Sequence, residues 1–175
     1  RITTMFPASI KDTLDFVFIM GGTNDAEDLT DAVWVPNDTT DTEWVASTEY
    51  NIHSGDFNID SLAGGLASTI MKFQVWMPQA LIIIATPLSG RGVDNSGDIY
   101  NYTLVTKEYN IAQKIKEQAG KLSTPLVDVY QECGINGWNR VKYLTDGVHN
   151  FNQDGQDMLG RTVSGGISRF APIYR

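Results

Sequence analysis

The chain has 175 residues, 42% of them hydrophobic and 19% charged, an ordinary globular composition with enough length for one domain and a sizeable core. Its net charge of -8 disfavours nucleic acid and anionic membrane surfaces as partners, because their phosphates would be repelled, and no apolar run approaches the roughly 20 residues that span a bilayer. The single cysteine, Cys133, excludes an internal disulfide and argues against a metal–thiolate cluster.

In chain order, residues 1–14 mix apolar and polar side chains around Pro7, with Phe6, Ile10 and Leu14 as candidate core contacts at the end of a helix. Residues 15–20 contain the apolar run Phe16 to Met20, which breaks at Gly21-Gly22 and delivers Thr23, Asn24 and Asp25 to its end. Such a run reads as a buried parallel strand whose carboxyl end opens on a rim, and ligands of open α/β sheets bind beyond strand ends of this kind. Residues 25–60 carry ten acidic side chains, no lysine or arginine, and Trp34, Trp44, Tyr50, His53 and Phe57. A loop of this length is commonly functional. It reads as a solvated excursion, as a flap whose aromatics stack on sugar rings, or as a calcium site, although no EF-hand spacing is present. His53 reads as a solvated loop residue.

Residues 61–77 carry Leu62, Leu66, Ile70, Phe73 and Met77 at helical spacing, after Ser61 as a candidate N-cap and before the stop at Pro78. Residues 80–86 are a second apolar strand, followed by a loop over Ser89 to Asp98. Residues 100–122 form the longest helix, with Leu104, Tyr109, Ile111, Ala112, Ile115 and Ala119 on its apolar face. Residues 125–130 read as a third strand, and 131–145 as an irregular connection containing Trp138. Residues 152–168 place Met158, Leu159, Val163 and Ile167 on a final helix weakened by Gly160, Gly165 and Gly166. Alternating strands and helices imply a parallel sheet with helices on both faces. Tyr143-Leu-Thr-Asp-Gly-Val-His149 precedes the last helix and sets Asp146 three residues before His149, one of two histidines in the chain.

Two blocks, Gly22-Thr23-Asn24-Asp25 and Asp146-Gly147-Val148-His149, resemble those of the SGNH (GDSL-type) hydrolases, a family of serine esterases. Their order, and the elements between them, also fit that family, over about Asp15 to Ile167. The resemblance implies a three-layer α/β/α sandwich of the flavodoxin-like kind. It also implies a Ser-His-Asp triad and no cofactor or metal. The family's Gly-Asp-Ser nucleophile block and its catalytic glycine belong upstream of Arg1 and have no counterpart in this sequence. The serine is therefore expected on an N-terminal segment or a companion chain. The start at Arg1, close to a central strand, suggests a fragment, a processed product or half of a nicked protein. The family's first strand pairs beside its third. Without it, residues 15–20 would form an apolar edge, and the chain would need a cover there to fold stably.

In that frame His149 is the general base, since an imidazole titrating near pH ~6.5 can take and return a proton at neutral pH. Asp146 accepts from the other ring nitrogen and fixes the tautomer, and Gly147 eases the turn between them. Asn24 donates to the developing oxyanion, while Asp25 bonds loop amides. Without the family, Asn24-Asp25 reads as an Asx turn, and Asp146 to His149 as a surface turn before a helix. Cys133 reads as a buried filler. Ser89 and Ser164 have no motif around them, and Gly55-Asp56-Phe57 lacks a serine.

The leading expectation is hydrolysis of polar carboxylic esters, with O-acetylated carbohydrate suggested by the aromatic acidic loop. A second is an inactive hydrolase-like module that binds carbohydrate or serves structurally. A third is a metal-dependent phosphoesterase using Asp25, Asp146 and His149, although two-metal sites need more ligands than these.

Overall fold

The protein is described from a computed structural model, which describes residues 12–22, 62–89, 102–145 and 151–170, without the side chains of residues 63 and 102–106. Three strands are found among them: β1 (Phe16–Met20), β2 (Leu81–Ala85) and β3 (Leu126–Val127). They form one parallel sheet in the order β1-β2-β3. Phe16 pairs with Leu81 and Met20 with Ala85, while Ile84 and Ala85 pair with Leu126 and Val127. Between the strands run α1 (Leu62–Trp76) and α2 (Tyr102–Lys121). After β3 come two short helices, α3 (Val129–Glu132) and α4 (Arg140–Tyr143), and the long α5 (Gln153–Phe170).

The core divides by strand parity. Ile82 and Ile84 belong to one cluster with Ile70, Phe73 and Met77 of the α1 segment and Ile111, Ile115 and Ala119 of α2. Ile83 and Ala85 belong to the other, with Val127, Val129, Cys133, Ile135 and Leu144, joined by Met158, Leu159, Val163 and Ile167 of α5. The neighbouring strands keep step: Val17, Ile19 and Leu126 join the first cluster, and Phe18 the second. Successive side chains of a strand point to opposite faces, so a strand covered on both sides must be apolar throughout. β2 obeys this, with Ile82, Ile83 and Ile84 all buried, each burial contributing about 1.5–3 kcal/mol. β1 is the outer strand of the described sheet. Its three central residues are half-buried, while Phe16 and Met20 are exposed.

Three readings of the sequence are corrected. The third strand does not run to Tyr130. It ends at Val127, because Asp128 accepts a hydrogen bond from the Gln131 N–H and caps a helix that takes up Val129 and Tyr130. The connection over 131–145 is not wholly irregular, since it holds the end of α3 and all of α4. Tyr109 is not on the buried face of α2. It is exposed and meets the Tyr130 ring edge-on, with centroids 6.1 Å apart. Ser61, Phe6, Ile10 and the 25–60 loop lie outside the described residues. No helix among the described residues is long and apolar enough to cross a membrane.

Candidate functional site

The carboxyl ends of the strands define a rim whose stems are tightly specified. After β1 the chain turns through Gly22, whose φ of +103° favours glycine. A Cβ there would stand 2.8 Å from Ile111 Cγ2, 3.6 Å from Ile115 Cδ1 and 3.7 Å from Pro87 Cγ. The backbone thus passes hard against α2 and the segment after β2, and a side chain is excluded on two counts. This fixes where the chain leaves the sheet towards Thr23 and Asn24.

The ends of β2 and β3 are locked to each other. Thr86, fully buried just past β2, donates from Oγ1 to Asp128 Oδ1 at 3.1 Å and accepts from the Tyr130 N–H at 2.9 Å. Asp128 Oδ1 also accepts from the Gln131 N–H at 3.3 Å, and its Oδ2 pairs with Lys116 Nζ of α2 at 2.6 Å. Lys116 reaches Gln131 Oε1 as well, at 3.1 Å. One carboxylate therefore joins α2, the β2 end and the start of α3. The ion pair is mostly shielded from solvent, with side chains 26% and 13% exposed, which strengthens it relative to a surface pair.

A third stem closes the segment 145–150. Leu144 and Phe151 form an isolated antiparallel bridge. Beside it the Asn152 N–H donates to the Tyr143 carbonyl at 2.9 Å, and Asn152 Nδ2 donates to the Lys142 carbonyl at 2.6 Å. Asn152 Oδ1 accepts from the Gly155 N–H at 3.0 Å and so caps α5. Gly155 lies so close to the Tyr143 carbonyl that a Cβ would collide with it. Leu144 and Phe151 share a core cluster with Leu88, three residues beyond the end of β2.

Asn24, Asp146 and His149 themselves lie outside the described residues, as do Asp25 and His53. What the described residues supply is their supports: Gly22 two positions before Asn24, and a pinned base on both sides of Asp146 and His149. Among the described residues no group of three or more His, Cys, Asp or Glu side chains could hold a metal ion. Cys133 is buried. Burial pushes its thiol pKa up against the lowering pull of hydrogen bonds from the Ile135 backbone and the Thr162 side chain, so it is a poor nucleophile. Ser164 is exposed on α5.

Sequence reasoning passed over Thr86, Asp128 and Asn152. Two of them had a signal. Asp128-Val-Tyr-Gln131 and Asn152-Gln-Asp-Gly155 each place a good N-cap residue before a helix. Thr86 had none, because its partners come from residues more than forty positions away.

No family model matches the sequence, and no curated protein matches it. A solved crystal structure resembles the chain with a TM-score of 0.62 at 20% sequence identity, over 90% of this chain and 66% of its own. The chain thus spans a little under two thirds of that structure's length.

Proposed function

We propose that this chain is the C-terminal portion of a serine esterase of the SGNH type, hydrolysing polar carboxylic esters such as O-acetylated carbohydrate. The nucleophilic serine comes from a segment upstream of this chain. One observation carries the reading: the segments bearing Gly22-Thr23-Asn24-Asp25 and Asp146-Gly147-Val148-His149 both leave from rigid stems, one held against α2 and Pro87 at Gly22 and the other closed by the Leu144–Phe151 bridge. Catalytic groups gain most from supports that hold them before substrate arrives. The division of the core by strand parity supports the finer fold reading, a three-layer α/β/α sandwich.

In this mechanism His149 takes the serine hydroxyl proton as the oxygen attacks the ester carbonyl, and then returns it to the leaving alcohol. Asp146 holds the imidazole in the right tautomer and stabilises the imidazolium. The Asn24 side-chain amide donates to the oxyanion, a contact whose loss typically lowers turnover by about 10² to 10³. Water then repeats the sequence on the acyl-enzyme.

The test is a fluorophosphonate probe on the purified material, followed by denaturing mass spectrometry. The expected result is an adduct on a second polypeptide that copurifies with this chain, and loss of labelling in His149→Ala. If the upstream segment is supplied and no serine takes the adduct, the esterase reading fails and a binding module replaces it. Ester hydrolysis that a chelator abolishes would point instead to metal chemistry at Asp25, Asp146 and His149.

A further inference from the structure

The two faces of the described sheet are not covered alike. Phe16, Phe18 and Met20 of β1 stand beside Leu81, Ile83 and Ala85 of β2 in the parallel register, so all three point to the face of the second core cluster. On that face Ile83 and Ala85 are buried, yet Phe16 is 42% exposed and Met20 37%, with Phe18 half-buried between them. On the opposite face Val17 and Ile19 pack into the first cluster with the α1 and α2 segments. The difference follows from where α5 sits. A Cβ on Gly166 would meet both methyls of Val127 at 2.5 Å, so α5 is seated on β3. Neighbouring strands lie about 4.8 Å apart, which sets β1 roughly 10 Å from β3, whereas a helix with its side chains reaches only about 5–6 Å from its axis. α5 thus covers β3 and β2 and stops short of β1. Its Arg169 and Met158 turn towards Glu132 and Gly134. Val163 and Ile167 lie about half a turn round from them, half-buried in the same cluster as Phe18. An apolar trough results, with Phe16, Phe18 and Met20 on its floor and Val163 and Ile167 on its wall.

We propose that this trough seats an amphipathic helix of the segment upstream of this chain, laid over β1 beside α5. The inference deepens the esterase reading and rests on it for the source of the helix. Dimensions select the occupant. Packed helices lie about 8–10 Å apart, which matches the step from β3 to β1, so a helix against α5 lands over β1. Such a helix presents its apolar side chains as one stripe at i, i+3, i+4 and i+7, and one stripe is what the trough accepts. A second copy of this chain fits less well. The open parts of Phe16 and Met20, together with the trough wall, offer at most a few hundred Å², well under the roughly 800 Å² per partner that a stable protein interface buries. Two chains of net charge -8 also repel each other. The crystal structure of similar fold is matched over 66% of its own length, which leaves chain enough for a further helix in this fold.

The test is native mass spectrometry of the purified material, with the bound polypeptide then sequenced, for the parent protein, Phe16→Lys, Met20→Lys and the control Val75→Lys at a 55% exposed site on α1. The expected result is an upstream polypeptide, with apolar residues at helical spacing, held by the parent and by Val75→Lys. Both trough lysines should weaken it at least tenfold, because each would bury an ammonium without a partner. Phe16→Leu and Met20→Leu should keep it bound, which separates the trough from the fold of the chain. A polypeptide held equally by the lysine variants overturns the proposal. So does a parent protein that carries no second polypeptide, or a dimer of this chain that the lysines dissociate. Fluorophosphonate labelling separates the two readings: a helix released by the trough lysines but never labelled keeps the docking and removes the esterase, and a labelled polypeptide indifferent to them does the reverse.

Discussion

Gly155 and Gly160 lie on the same helix, and the structure predicts opposite outcomes for the same substitution. At Gly155 a Cβ would run into the Tyr143 carbonyl oxygen and stand 3.0 Å from Phe151 Cδ1. That oxygen already accepts from the Asn152 N–H, so the backbone has little room to yield without losing the bond that closes the 145–150 segment. Overpacking of this kind costs about 1–3 kcal/mol, against at most ~1 kcal/mol returned by alanine's better helix propensity. Gly155→Ala should therefore destabilise by about 1–2 kcal/mol, which for a chain of this size lowers Tm by roughly 3–6 °C. At Gly160 nothing lies within 4 Å of a built Cβ. Gly160→Ala should then stabilise by about 0.5–1 kcal/mol. Urea unfolding of both variants beside the parent protein reads the difference, with the midpoint moving and the slope unchanged. If both alanines shift stability the same way, the packing of α5 against Tyr143 is not as described and the pinned stem fails with it.

Two further outcomes follow from the rim and from the second core cluster. Thr86→Val keeps the shape but removes the acceptor of the Tyr130 N–H and the donor to Asp128, and should cost about 1–3 kcal/mol by urea unfolding; no loss would show that the three elements are joined elsewhere. Burial raises the Cys133 thiol pKa, so the native state keeps its proton to higher pH than the unfolded state. The stability linked to that proton is fully present below the unfolded value of ~8.5 and is lost as pH rises through the raised native one. Cys133→Ala should flatten the alkaline fall in stability measured between pH 8 and 10, and an unchanged slope would refute the assignment.

The long apolar patterns were legible because burial on both faces leaves a sequence little choice. Ile82 to Ile84 had to be a central strand, and Leu62, Leu66, Ile70, Phe73 and Met77 repeat as a helix does and pack as one. Val129 and Tyr130 misled, since both favour strands. The local gain from the Asp128 cap and the pull of Lys116 and Thr86 outweighed that preference. Tyr109 misled for the opposite reason: an aromatic at roughly the right spacing was assigned to the core, whereas it is exposed at the edge of α2 and meets the half-buried ring of Tyr130. The final helix shows the limit most sharply. Gly160, Gly165 and Gly166 look alike in sequence. Yet only Gly166 sits where a Cβ would meet both methyls of Val127 at 2.5 Å, while the other two face open space. Close approach belongs to the partner as much as to the glycine, and the partner, Val127, is thirty-nine residues away in the chain.

The same reasoning explains why the motif residues could be singled out while the contacts that make their supports could not. Asn24, Asp146 and His149 belong to short local blocks, which a sequence displays directly. Their supports depend on partners outside the block. Gly22 is needed because Ile111 and Pro87 crowd it, and Asn152 works by bonding Lys142 and Tyr143 across the segment it closes. A block without its supports places a histidine on a free loop, where the ordering cost of each catalytic contact would fall on the reaction itself. A pinned base shifts that cost into folding. The stems at Gly22, Asp128 and Asn152 are thus the part of the esterase reading that stability measurements can examine before any substrate is known. Gly155→Ala or Thr86→Val should weaken labelling and activity along with the fold, while Gly160→Ala should raise stability and leave both intact.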